Sequence, residues 1–272
     1  MDIKLLEGFE HFLAIEDDNL SKTIAILAED YQLVLDLDSL YNSCLNIILP
    51  AESNIMVPAF LHLVSHQEFY SGMVSFLRLH RTQSFRCLRA ALDSTFTAYY
   101  LLKNPDKAEI YLNKSHNSTT WYNLFRNIKA TVKNNQNVFP LAVGLPEIHD
   151  LCSKFAHADP EGIFHKYFMN KQEKRLYAQY FDFEKKTDDY KKWFAFLLFY
   201  YFKVFLIYWH EMLKDKAGKR KKEIQYLVKE YKVRINDFRE RYPLRLSRTY
   251  SDNNGAMVPE SPGISAGEDV SL

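Results

Sequence analysis

The sequence predicts a mainly α protein: a single helical bundle carrying one small β-hairpin and ending in a disordered tail. Three observations predict it. Apolar residues recur at spacings of three and four through most of the chain. Glycine is scarce, 8 in 272 residues with 9 prolines, too few for the tight turns of sandwiches and barrels. Aromatic residues (20 Phe, 18 Tyr and 3 Trp) reach 15% and cluster in long apolar segments that need a large common core.

The elements follow in order. A first helix is expected to start near Asn19 or Ser21, both competent N-caps, and to run to Ile48 before Pro50. A second starts near Met56, with Pro58 tolerated in its first turn and Gly72 inside it at a point of close packing. The segment 82–103 carries Phe85, Leu88, Ala91, Leu92, Phe96 and Tyr99 as a wide apolar stripe. Asn104 and Pro105 start a short helix, and Ser118 or Thr119 another through Trp121, Leu124 and Ile128. The polar run 133–137 reads as loop, and Pro146 opens a helix that ends near His157. Aromatic-rich 164–169 and 175–182, separated by polar residues, read as the hairpin.

The segment 193–209 resembles a membrane span but is slightly short for one. Lys203 lies at its centre, where a charge costs about 3 kcal/mol on insertion scales, so a buried core helix is expected and no span. After Gly218 a last helix repeats apolar residues at Ile224, Val228, Tyr231, Ile235, Phe238 and Tyr242, a heptad seam. Residues 1–213 thus form the bundle, 214–248 a basic helix that packs on it or extends it, and 249–272 an acidic disordered tail.

The formal net charge of +1 hides zoning. Residues 214–248 hold thirteen Lys or Arg against five Asp or Glu, and 249–272 hold four acids and no Lys or Arg. Lys219, Arg220, Lys221, Lys222, Lys229 and Lys232 could follow a phosphate backbone. The same helix carries the seam, so three readings stay open: a solvated face, a nucleic-acid surface, or a homodimer through Ile224, Val228, Tyr231, Ile235 and Phe238.

Cys44, Cys87 and Cys152 form no CxxC, which excludes a zinc ribbon or a thioredoxin-type site. Sparse cysteine and no leader-like N-terminus predict a soluble cytoplasmic protein. His62 and His66 share a helical face but lack a third ligand, so no metal and no cofactor is expected. Arg86, Arg89 and Asp93 fall together at i, i+3 and i+7, as an ion pair or an anion site. His157, at a predicted helix end, can cap the helix or move a proton.

The arginine-bearing RTQSFRCLRAALDSTFTAYYLLKNP (81–105), followed by a helix ending SKFAHADPEG, resembles the HEPN-like superfamily of small helical proteins. It is similar in particular to uncharacterised bacterial members whose helix ends Ser-x-x-x-His before Pro. The resemblance covers about residues 59–213. It implies a bacterial defence or stress component that binds RNA or nucleotide. Active HEPN ribonucleases pair the histidine with an arginine four to six residues before it, completed by dimerisation. His157 matches the histidine, but 150–156 contain no arginine, and the cation would have to come from Arg86 or Arg89. Whether the chain is an enzyme stays open on the residues, and the rival reading is a non-catalytic interaction or dimerisation module.

Overall fold

The computed structural model describes residues 8–48, 55–114, 116, 118–156, 167–170, 175–178, 181–182 and 187–244. The described chain is mainly helical. Helix α1 (Phe9–Leu27) and helix α2 (Gln32–Ile48) precede a long hairpin of α3 (Met56–Leu77) and α4 (Arg81–Lys103). Three short helices follow, α5 (Ala108–Leu112), α6 (Ser118–Phe125) and α7 (Ile128–Asn134). Then come α8 (Leu145–Ala156), α9 (Thr187–Tyr208) and α10 (Lys221–Arg241). Between α8 and α9 the backbone of Tyr167–Asn170 pairs antiparallel with Arg175–Ala178.

The first helix departs from expectation. It starts at Phe9, ten residues before Asn19, and the chain breaks at Ala28, where φ is +47° and a 3-10 turn (Ala28–Tyr31) follows. Asn19 is buried rather than capping, and the Ser21 hydroxyl donates back to the Asp17 carbonyl at 3.0 Å, a mid-helix habit. The break frees Asp30 to reach Lys191 on α9 at 2.5 Å and Arg241 on α10 at 3.5 Å. A second difference is local: the helix from Ser118 stops at Phe125, and α7 continues into the polar run expected as loop.

Helix α9 is the centre of the bundle. It packs against α2, α3, α4 and α10, and a π-turn (Trp209–Leu213) extends it. By length and composition it is the one helix among the described residues that could cross a membrane, and 67% of its most apolar window is buried inside the chain. Lys203 is accommodated by donating to the Val143 carbonyl at 3.1 Å. Aromatic rings do much of the packing: Phe76 stacks on Tyr190 at 4.5 Å, Phe85 on Phe155 at 4.4 Å, and Phe202 meets Tyr231 at 4.8 Å.

The α3–α4 turn is pinned from a distance. Leu79 takes φ +67°, and its carbonyl accepts the Asp182 N–H at 2.7 Å. The Asp182 carboxylate in turn accepts the Arg81 N–H at 2.8 Å, at the α4 N-terminus.

His62 and His66 are absorbed into this core. His66 Nε2 lies 3.1 Å from Asp38, and its ring stacks on Tyr41 at 4.7 Å. His62 is fully buried between Tyr41 and Tyr208, and neither ring nitrogen has a hydrogen-bond partner. Burial first, and the neighbouring His66 second, push its pKa down to about 3. An unfolded chain binds this proton below about pH 6.5 while the folded chain does not, so stability falls on acidification from that point at roughly 1.4 kcal/mol per pH unit. Unfolding free energies from urea melts at pH 7 and pH 5 should differ by about 2 kcal/mol, and His62→Leu should flatten most of that slope. An unchanged slope in the variant contradicts it.

Candidate functional site

Helix α4 divides its faces cleanly. Phe85, Leu88, Leu92 and Phe96 are buried, while Arg86 and Asp93 are exposed and Arg89 lies half-buried between them. Arg89 Nε stands 3.9 Å from one oxygen of Asp93. The other oxygen lies 2.8 Å from Nε2 of His149 on the neighbouring α8. The buried His149 packs at 6.0 Å from the Phe96 ring, and its Nδ1 points at Asp150, 3.7 Å away. Lys129 of α7 closes the group by binding Asp150. Burial pulls the Asp150 carboxyl up, but the bond and charge of Lys129, together with His149, bring it below the usual carboxylate range.

Three helices thus contribute to one surface line: Arg89, Asp93, His149, Asp150, Lys129. The arrangement holds an imidazole beside two carboxylates, hydrogen-bonded at Nε2 to Asp93 and without a hydrogen-bond partner at Nδ1. The exposed members of the group are Arg86 and the Asp93 carboxylate, with Arg89 half-buried between them. Cys152 adds no nucleophile, because burial pushes its thiol far up. Cys44 and Cys87, each pushed up to about 12 by burial, are equally inert.

Of the residues singled out by sequence, the structure brings Arg89 and Asp93 into contact and leaves Arg86 exposed one turn away. His157 lies outside the described residues. The residue that sequence reasoning missed is His149. Its signal was present, since 149, 153 and 157 recur every fourth position on one predicted helix face. The Ser153 hydroxyl donates to the His149 carbonyl at 2.8 Å.

The basic segment separates into two sets. Lys219, Lys222 and Lys229 are exposed, whereas Arg220, Lys221 and Lys232 are half-buried. Lys221 binds Asp215 at 3.0 Å, and Arg220 lies 3.8 Å from Glu223. The seam, for which a homodimer contact is one of three readings, is used by the chain itself. Ile224, Val228, Tyr231, Ile235 and Phe238 are at most 3% exposed, because α10 lies against α2 and α9 of the same chain.

Among the described residues, no three His, Cys, Asp or Glu side chains are grouped to hold a metal. A small cleft lined by Leu79, Arg81, Asp182, Tyr190 and Trp193 lies at the α4 N-terminus, where the Arg81 guanidinium sits 5.1 Å from the Trp193 ring centre. No family model matches the chain, and no curated protein or solved structure is significantly similar to it.

Proposed function

We propose that this chain is an RNA- or nucleotide-binding helical protein of HEPN-like kind, serving bacterial defence or stress response, with the α4–α8 surface as its ligand site. The observation that carries the reading is the Asp93 carboxylate shared between Arg89 of α4 and His149 of α8. Arginine forks suit phosphate oxygens. An anion entering beside Asp93 would meet Arg86 and Arg89, with His149 behind the carboxylate as the positioning group. The exposed Lys219, Lys222 and Lys229 supply a second, less specific attraction for a polyanion.

Cleavage is a separate claim, and growth arrest with RNA breakdown on expression in a bacterial host tests it. If His149 holds Asp93 for that chemistry, wild type arrests growth and both His149→Ala and His157→Ala relieve it. Benign wild-type behaviour with intact RNA removes cleavage and leaves binding. Binding itself is tested by fluorescence anisotropy of a labelled single-stranded RNA at low salt. Affinity should fall roughly tenfold or more as salt is raised through the physiological range. No binding even at low salt refutes the RNA reading.

The rival reading, a non-catalytic interaction module, is favoured by a different observation, the uncharged outer face of α3.

A further inference from the structure

Helix α3 is apolar on two sides. One side enters the core through Val57, Leu61, Phe69, Met73 and Phe76. The other faces solvent and consists of Phe60, Leu63, Val64, Gln67, Tyr70, Ser71 and Val74. None of these seven side chains is charged. Phe60 is 59% exposed and Val74 44%, so the stripe is open along its whole length. A water-facing helix surface ordinarily carries charged residues. Its apolar exposed area is on the order of 400 Å² per copy, the size at which patches on soluble proteins mark contact surfaces.

The side chains of the stripe are complementary to those of a second copy. The seven positions lie at −7, −4, −3, 0, +3, +4 and +7 about Gln67. A helix laid antiparallel on its own copy about a twofold axis at Gln67 therefore sets Phe60 opposite the copy's Val74, Leu63 opposite Ser71, and Val64 opposite Tyr70. Each pair sets a larger side chain against a smaller one, which lets the two surfaces interdigitate. Gln67, on the axis, carries both donor and acceptor and can bond its own copy. With no charge in the stripe, no like-charge pair is forced together. We infer that the outer face of α3 is the contact surface of a twofold homodimer, with α3 antiparallel to its copy about Gln67.

Two such faces with their rims bury about 1,000–1,200 Å² in total, the low end of specific interfaces, so the dimer is expected in the micromolar range. Sedimentation velocity of the full chain up to about 100 μM tests it. Wild type should shift from monomer to dimer over that range. Phe60→Lys or Val74→Glu, both at exposed positions, should each weaken dimerisation at least tenfold, while thermal melts confirm that both variants stay folded. An equimolar mixture of the two should dimerise again, because the antiparallel register sets the introduced lysine of one chain against the introduced glutamate of the other. A wild type that stays monomeric throughout overturns the inference. So do single variants that dimerise as wild type does, or a mixture that does not recover.

Discussion

Ile235→Glu should unfold this protein rather than dissociate it. The residue sits at the middle of the apolar seam of α10 and is fully buried against the same chain. A carboxylate forced into that position has no described cation to pair with inside the core. The cost of burying an unpaired charge is several kcal/mol, a large part of the 5–15 kcal/mol that holds a domain folded. The melting temperature is expected to drop by about 10–20 °C, or the cooperative transition to vanish. Val233→Glu, on the exposed side of the same helix, should change stability by under about 0.5 kcal/mol. A well-folded Ile235→Glu monomer arising from a wild-type dimer would show that the seam is an interface after all.

Gly72→Ala is the second large effect. Gly72 lies in mid-helix, and a methyl group there would fall directly on the Tyr201 hydroxyl and 3.2 Å from the Cys87 side chain. Tyr201 has little room to retreat. It is fully buried, its hydroxyl donates to the Glu68 carbonyl at 3.0 Å, and its own carbonyl accepts the Tyr41 hydroxyl at 3.0 Å. Alanine would otherwise favour the helix by about 1 kcal/mol. Overpacking and the strained hydrogen bond outweigh this, and a net loss of about 1–3 kcal/mol is expected. Tyr201→Phe removes the colliding oxygen, so the double variant should be more stable than the two single losses added together, by at least about 1 kcal/mol. Additive losses would mean that the helices spread apart instead.

These two cases show what was legible before the structure. The close packing at Gly72 and the seam of 224–238 both stand out in the sequence, because periodicity and small residues report which side chains face a neighbour. What they do not report is whose neighbour it is. The seam reads equally as an interface or as core, and only the position of α2 and α9 decides for core. The same gap hid His149: its spacing with Ser153 was visible, but its contact with Asp93 joins residues 56 apart in sequence. The early start at Phe9 was hidden for another reason. Asn19 and Ser21 look like caps by residue type, yet neither serves as one when the preceding turns are already helical. The α3 face was missed because an apolar helix surface is read as core wherever it falls, and only exposure distinguishes its two sides.

Ligand recognition on α4 beside α8, rather than on the basic helix α10, is the proposal that one titration series tests most directly. Anisotropy titrations of one labelled single-stranded RNA, at fixed salt, compare wild type with two variants. One carries Arg86→Ala and Arg89→Ala, the other Lys219→Ala, Lys222→Ala and Lys229→Ala. Each lost charge-assisted contact is worth about 1.5–3 kcal/mol, so the arginine variant should bind at least tenfold more weakly. The lysine variant should lose affinity modestly and keep a binding curve that saturates. Wild-type affinity in the arginine variant, with binding abolished in the lysine variant, would contradict the account.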